Sequence, residues 1–236
     1  MNKAIVFDTG PIISLTLNNL LKLLKPLKDK SKTEFYVCPS VYKELIEKPL
    51  STKKYKFEAL QILPLFMDGT LKFYERKENK RKAEELLSIA NKCFIAKGNY
   101  ISIVHIGEME AIASALALGS DTLVIDERTT RVLIENPYSL VDHLEKKLHT
   151  SIEVNRDNIE KISKEISGLN VIRSFELGFV AFELGLLDEY IIKEEEKIEG
   201  VGNIRSSVLE GILWAIKLSG CSVSRNDIDV ALKSSE

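Results

Sequence analysis

The stretch Ala4-Ile5-Val6-Phe7-Asp8-Thr9-Gly10-Pro11 decides the architecture. Four consecutive apolar residues run into a turn cluster made of an acid, a hydroxyl, a glycine and a proline. A short apolar run bounded by Gly and Pro reads as a buried strand, and the apolar-periodic residues from about Ile12 to Leu24 read as the helix that follows it. The same order recurs downstream. Phe35-Tyr36-Val37-Cys38 is strand-like, and Pro39-Ser40 opens a helix over Val41 to Glu47, with Ser40 as its N-cap. Leu123-Val124-Ile125 is a strand that ends at Asp126.

Between these segments, residues 55–66 read as a helix and Thr70 to Tyr74 as a third strand. A helix from about 76 to 96 carries Ala83, Leu86, Leu87 and Ala90 on one face, and residues 108–118 form another, closed by Gly119. Strands alternating with helices predict a parallel sheet with helices on both faces. Beyond about Asn136 the pattern turns helical. Leu169 to Ile172 is the remaining strand, and helices are expected near 175–185, 187–198, 204–218 and 225–233. Ser224 and Asp227 form a capping box for the last of these, with Asp in place of the usual Glu or Gln.

A chain of 236 residues forms one large domain or two small ones and buries a real core. Its formal net charge of -2, with 29% charged residues, excludes a strongly basic protein that coats nucleic acid, so a nucleic-acid partner would have to meet a local basic patch. No apolar run reaches the roughly 18 residues that span a bilayer, and MNKAIVFD lacks the apolar segment of a signal peptide. A cytoplasmic protein without a membrane partner is expected. Cys38, Cys93 and Cys221 are widely spaced and read as reduced core thiols. His105, His143 and His149 lack zinc-ligand spacing.

The chemistry therefore rests on carboxylates. Asp8 and Asp126 each end an apolar strand, and in open α/β sheets the ligand crevice lies beyond the carboxyl ends of the strands, at a switch in strand order. Glu108 shares its helix face with Ala111, Ile112 and Ala115, so it points inward at a helix mouth, where the dipole tolerates negative charge. Glu110 lies nearly opposite and reads as a supporting or surface residue. Glu44 sits on the edge of its apolar stripe, as often a solvated position as a site position. Converging carboxylates repel one another, and a hard cation, Mg2+ or Mn2+, is their natural partner. The bland alternative makes each acid a helix cap or a solvated surface group.

The segments Val6-Phe7-Asp8-Thr9-Gly10-Pro11-Ile12-Ile13-Ser14-Leu15, Gly107-Glu108-Met109-Glu110-Ala111-Ile112-Ala113 and Leu123-Val124-Ile125-Asp126-Glu127-Arg128 together resemble the PIN-domain superfamily, in particular a poorly characterised prokaryotic PIN-like nuclease group. The resemblance implies a doubly wound parallel sheet with helices on both faces and extra C-terminal helices. It also implies a cluster of acids binding one or two Mg2+ or Mn2+ ions, and ribonuclease activity of the kind found in toxin–antitoxin pairs and RNA-processing members. Asp8, Glu44, Glu108 and Asp126 match the acidic positions, and Asp8, Glu108 and Asp126 are the expected metal ligands. Thr9 matches the small hydroxyl residue beside the first acid. On this reading residues 1–135 are the core, 136–167 an inserted pair of helices, and 168–236 the last core strand with the C-terminal helices. Arg173-Ser174-Phe175-Glu176 stands where a Gly-rich turn is expected.

Glu110, Glu127 and Glu176 are weaker candidates for the surroundings of the site. Arg128 and Arg131 follow Asp126 directly and are the candidates for an RNA phosphate. The clusters Arg76 to Lys82 and Lys53-Lys54-Lys56 read as solvated helix faces. Single-stranded RNA is the expected substrate, and a homodimer or a small antitoxin-like protein are the partners the family brings to mind. The competing reading is a PIN-like scaffold that binds nucleic acid or protein without cutting it.

Overall fold

The computed structural model describes residues 3–191 and 203–235. Five parallel strands make the central sheet: β1 (Lys3–Phe7), β2 (Thr33–Val37), β3 (Leu71–Phe73), β6 (Thr122–Val124) and β8 (Asn170–Ile172), in the order β3-β2-β1-β6-β8. Three short strands, β4 (Phe94–Ala96), β5 (Asn99–Tyr100) and β7 (Glu153–Val154), form a separate antiparallel sheet. In the first part of the chain the helices are α1 (Thr9–Leu17), α2 (Leu24–Ser31), α3 (Pro39–Tyr42), α4 (Lys48–Leu50), α5 (Lys56–Met67), α6 (Lys77–Ala90) and α7 (Ile106–Leu118). They are followed by α8 (Arg128–Glu135), α9 (Leu140–Leu148), α10 (Arg156–Glu165), α11 (Ser174–Glu183), α12 (Ile204–Leu218) and α13 (Arg225–Ser234). The expected α/β class with a parallel sheet and additional C-terminal helices is what the chain forms.

The apolar run at the start becomes the centre of the sheet because both its neighbours are also apolar. β1 pairs with β2 from Lys3↔Thr33 to Phe7↔Val37, and with β6 from Ile5↔Thr122 to Phe7↔Val124. Val6, Phe7, Phe35, Val37, Leu123 and Val124 are all buried. The rings of Phe7 and Phe35 pack with centroids 5.0 Å apart. Burying a side chain of this size contributes about 1.5–3 kcal/mol.

Several elements end earlier than periodicity predicts. The helix expected from Ile12 to Leu24 stops at Leu17 because Asn19 turns left-handed (φ 57). The Asn19 N–H then donates to the Thr16 carbonyl and the Leu20 N–H to the Leu15 carbonyl, a paired closure that satisfies the last carbonyls. A 3-10 turn, Leu21–Leu23, follows before α2. The helix expected over 76–96 ends at Ala90, since Phe94–Ala96 leaves it to pair with β5 and β7. Lys97 (φ 49) and Gly98 (φ 75) form the two-residue turn of that hairpin, both with the positive φ such turns demand. Segment 136–167 holds β7 besides α9 and α10, and β7 ties it to β4. Of the helix expected over 187–198, residues Asp188–Tyr190 form a 3-10 turn, and 192–198 lie outside the described residues. α12 and α13 match their expected positions, and Ser224 and Asp227 exchange both capping hydrogen bonds. All three cysteines are free and buried, as expected.

Candidate active site

The sheet order reverses between β1 and β6. From β1 the chain adds β2 and β3 on one side, and β6 and β8 on the other. Asp8 follows the last residue of β1, and its N–H donates to the Val124 carbonyl at 2.9 Å, continuing the ladder one step past the strand. Asp126 lies two residues beyond the end of β6. Both acids thus leave adjacent strands at the same edge, at the opening that the reversal creates. Gly10 lies between them. A methyl group there would sit 3.5 Å from the Asp126 Cβ and 3.8 Å from an Asp8 Oδ2, so the missing side chain leaves open the space the two share.

The two carboxylates are held differently. Asp8 takes the N-cap position of α1 in an extended conformation, yet its side chain makes no capping hydrogen bond. Desolvation raises its pKa to about 6, with the charges of Glu44 and Asp126 adding to the rise and the Thr9 and Gly10 amides opposing it. Asp126 is buried and fully engaged. The Ser174 N–H donates to Oδ1 at 2.7 Å and the Ser174 hydroxyl to Oδ2 at 2.6 Å. Burial still raises the Asp126 pKa, with Ser174 pulling it down and the Glu176 charge adding to the rise. The Asp126 carbonyl also accepts from the Ser222 N–H at 3.0 Å.

Glu108 sits in the first turn of α7. One of its oxygens accepts from the His105 N–H, so it closes its own helix N-terminus. Desolvation, with help from Asp8 and Glu127, raises its pKa to about 7. The side chain of nearby Thr130 opposes that rise by hydrogen-bonding toward Glu108.

The helical-wheel reading of α7 needs correcting. Met109 to Ala115 are all buried, because α7 is packed against α6, α3 and β1 rather than lying with one face in water. Glu110 is therefore not a surface residue. Its carboxylate accepts from the Ser40 N–H at 2.8 Å and so secures the start of α3. Ser40 is not the N-cap it was expected to be. Cys38 takes that position, with Pro39 first in the helix, where its missing N–H costs nothing.

Glu44 lies in a π-helical turn, Lys43–Glu47, a local widening of the kind that often re-aims a side chain. Its carboxylate is exposed and accepts the Thr9 hydroxyl at 2.8 Å, while its charge reaches Asp8. Glu127 caps α8 through the Thr130 N–H at 2.7 Å. Glu176 caps α11 through the Arg173 N–H and pairs with the Arg173 guanidinium. Arg128 is exposed. Arg131 pairs with Glu135 at 3.2 Å and keeps a buried Nε without a partner. Ser174 and Thr130 carried no signal in the linear pattern. Each is a small hydroxyl residue whose importance depends on which acid it faces.

A family model for the PIN domain matches residues 4–136. The chain belongs to the PIN-domain family. No curated protein matches it. The matched segment holds Asp8, Glu44, Glu108 and Asp126, but Ser174, which holds Asp126, lies outside it. The PIN domain of this chain thus draws part of its acidic edge from the C-terminal extension.

Does this PIN domain fit a divalent ion? The donor chemistry does: the acids offer oxygens alone, the preference of Mg2+ and Mn2+. The open space at Gly10 also fits. Raised carboxyl pKa values mark a charge that a cation would neutralise. Among the described residues, however, no group of three His, Cys, Asp or Glu is arranged to hold a metal ion as the side chains lie. Among the same residues, no helix is long and apolar enough to cross a membrane.

Proposed function

We propose that this PIN-domain chain is a cytoplasmic, Mg2+- or Mn2+-dependent endoribonuclease that hydrolyses single-stranded RNA. The observation that carries the reading is the placement of Asp8 and Asp126 at the ends of adjacent parallel strands, at the reversal of strand order, with Gly10 keeping the space between them open. When bound, the ion would lower the pKa of a water and offset phosphate charge. Asp8, Glu108 and Asp126 would hold it, with Asp126 pre-set by Ser174. Glu44, steadied by Thr9, extends the acidic edge. We read Arg128, exposed two residues after Asp126, and Arg131 as the contacts for phosphate oxygens.

The test is cleavage of labelled RNA in Mn2+ by the wild type and by Asp126→Asn. Loss of cutting in the variant supports the proposal, and equal cutting by both removes it.

One observation favours the scaffold reading: the acids are not closed around a common point, and both Asp126 oxygens are committed to Ser174. A scaffold would show no Mn2+-dependent rise in melting temperature and no response of RNA cleavage to Asp8→Asn.

A further inference from the structure

Beside the acids lies a groove of about 480 Å³ that includes Thr9, Glu44, Lys48, Pro49, Lys54 and Tyr55 in its lining. We propose that this groove binds the nucleotide adjacent to the scissile phosphate, its base on the Tyr55 ring and its phosphate between Lys48 and Lys54. The inference rests on the ribonuclease reading above and adds where the RNA strand leaves the acids.

Three observations carry it. The groove is continuous with the site, since Thr9 and Glu44 line it, hydrogen-bond to each other, and place the Glu44 charge within reach of Asp8. Its charge suits a phosphate. Among the described residues neither Lys48 nor Lys54 is neutralised by an ion pair. The Lys54 ammonium lies over one face of the Tyr55 ring, 4.7 Å from its centroid, so the cation and the aromatic ring share this wall of the groove.

The third observation is the state of Tyr55 itself. It is 46% exposed, and it takes a left-handed conformation (φ 60) immediately before α5. A bulky residue adopts that region at a cost that glycine avoids. Tyr55 is not among the buried core residues and lines the groove instead. An aromatic ring held beside unpaired lysines is the combination that grips single strands without reading their sequence, through stacking and backbone charge.

The experiment measures binding of a short fluorescein-labelled oligouridylate by anisotropy in EDTA, where cleavage does not intrude. Tyr55→Ala is expected to weaken binding roughly ten-fold, while Tyr55→Phe keeps it. Lys48→Ala with Lys54→Ala is expected to weaken binding and flatten its salt dependence. Melting curves of each variant establish that it is folded, and crosslinking of the labelled strand to Tyr55 serves if Tyr55→Ala does not fold. Unchanged binding in Tyr55→Ala, or no binding by the wild type, overturns the proposal. So does displacement of the RNA by hexaglutamate as readily as by unlabelled oligouridylate, which would make the groove a site for acidic peptides. Because these readouts need no metal, they remain distinct from failure of cleavage in Mn2+, which would strike the ribonuclease reading alone.

Discussion

Ser174 grips both oxygens of the Asp126 carboxylate, one through its backbone N–H and the other through its hydroxyl. The pair joins residues that are far apart in the chain and fixes the N-terminus of α11 against the end of β6. A buried carboxylate held this way keeps one orientation toward the neighbouring strand, and the helix dipole of α11 offsets part of its charge.

Removing half of that grip has a defined cost. Ser174→Ala removes the hydroxyl donor to one buried Asp126 oxygen, leaving the weak Cys221 thiol, and is expected to lower stability by about 1–3 kcal/mol. Ser174→Thr restores the hydroxyl and should recover most of it. Chemical denaturation in EDTA measures both.

Stability should also depend on pH through Asp8 and Glu108. Their folded pKa values of about 6 and about 7 stand above the ordinary 3.8 and 4.5, so the fold binds their protons more tightly than the unfolded chain does. That contribution is fully present below the ordinary values and is lost as pH rises through 6 to 7. In EDTA the melting temperature should therefore fall between pH 5 and pH 8, and Glu108→Gln should flatten the decline. Glu34, Asp68 and Asp227, whose pKa values are lowered, act in the opposite sense at more acidic pH, and His143, whose pKa burial lowers from 6.5, opposes the decline within the same window, so His143→Gln should steepen it.

On the proposed function, a cation bound by these acids would reverse the trend. Mn2+ at one hundred times its dissociation constant stabilises the native state by about 2.7 kcal/mol. The ion competes with the protons of Asp8 and Glu108, so its stabilising effect should grow from pH 5 to pH 8. Thermal shifts with and without Mn2+ across that range check the expectation, and Asp8→Asn should abolish the shift.

Gly10→Ala separates site from fold. The added methyl makes only ordinary contacts, 3.5 Å from Asp126 Cβ and 3.8 Å from an Asp8 oxygen, and Ala favours a helix by about 0.5–1 kcal/mol over Gly. Metal-free stability should hold or rise slightly while the Mn2+ response and RNA cleavage fall. A variant that keeps its full Mn2+ shift would show that the ion does not lie between the two acids.

Local pattern alone placed the strands at Ile5, Phe35 and Leu123, the acids that end β1 and β6, and the capped C-terminal helices. Apolar runs, turn residues and caps act over a few neighbours and are written in the order of the chain. Tertiary packing decided the rest. It surrounded α7 and, of the supporting and surface roles open to Glu110, chose the support of Ser40, and it stopped the helix at Ala90 so that Phe94 could pair with Val154. It also brought Ser174 to Asp126 across the β6–β8 pair and set Tyr55 beside Glu44. These are contacts between distant segments, and their free energy exists only once both partners are excluded from water and held at bonding distance. No periodicity in the linear chain encodes which small hydroxyl will meet which carboxylate.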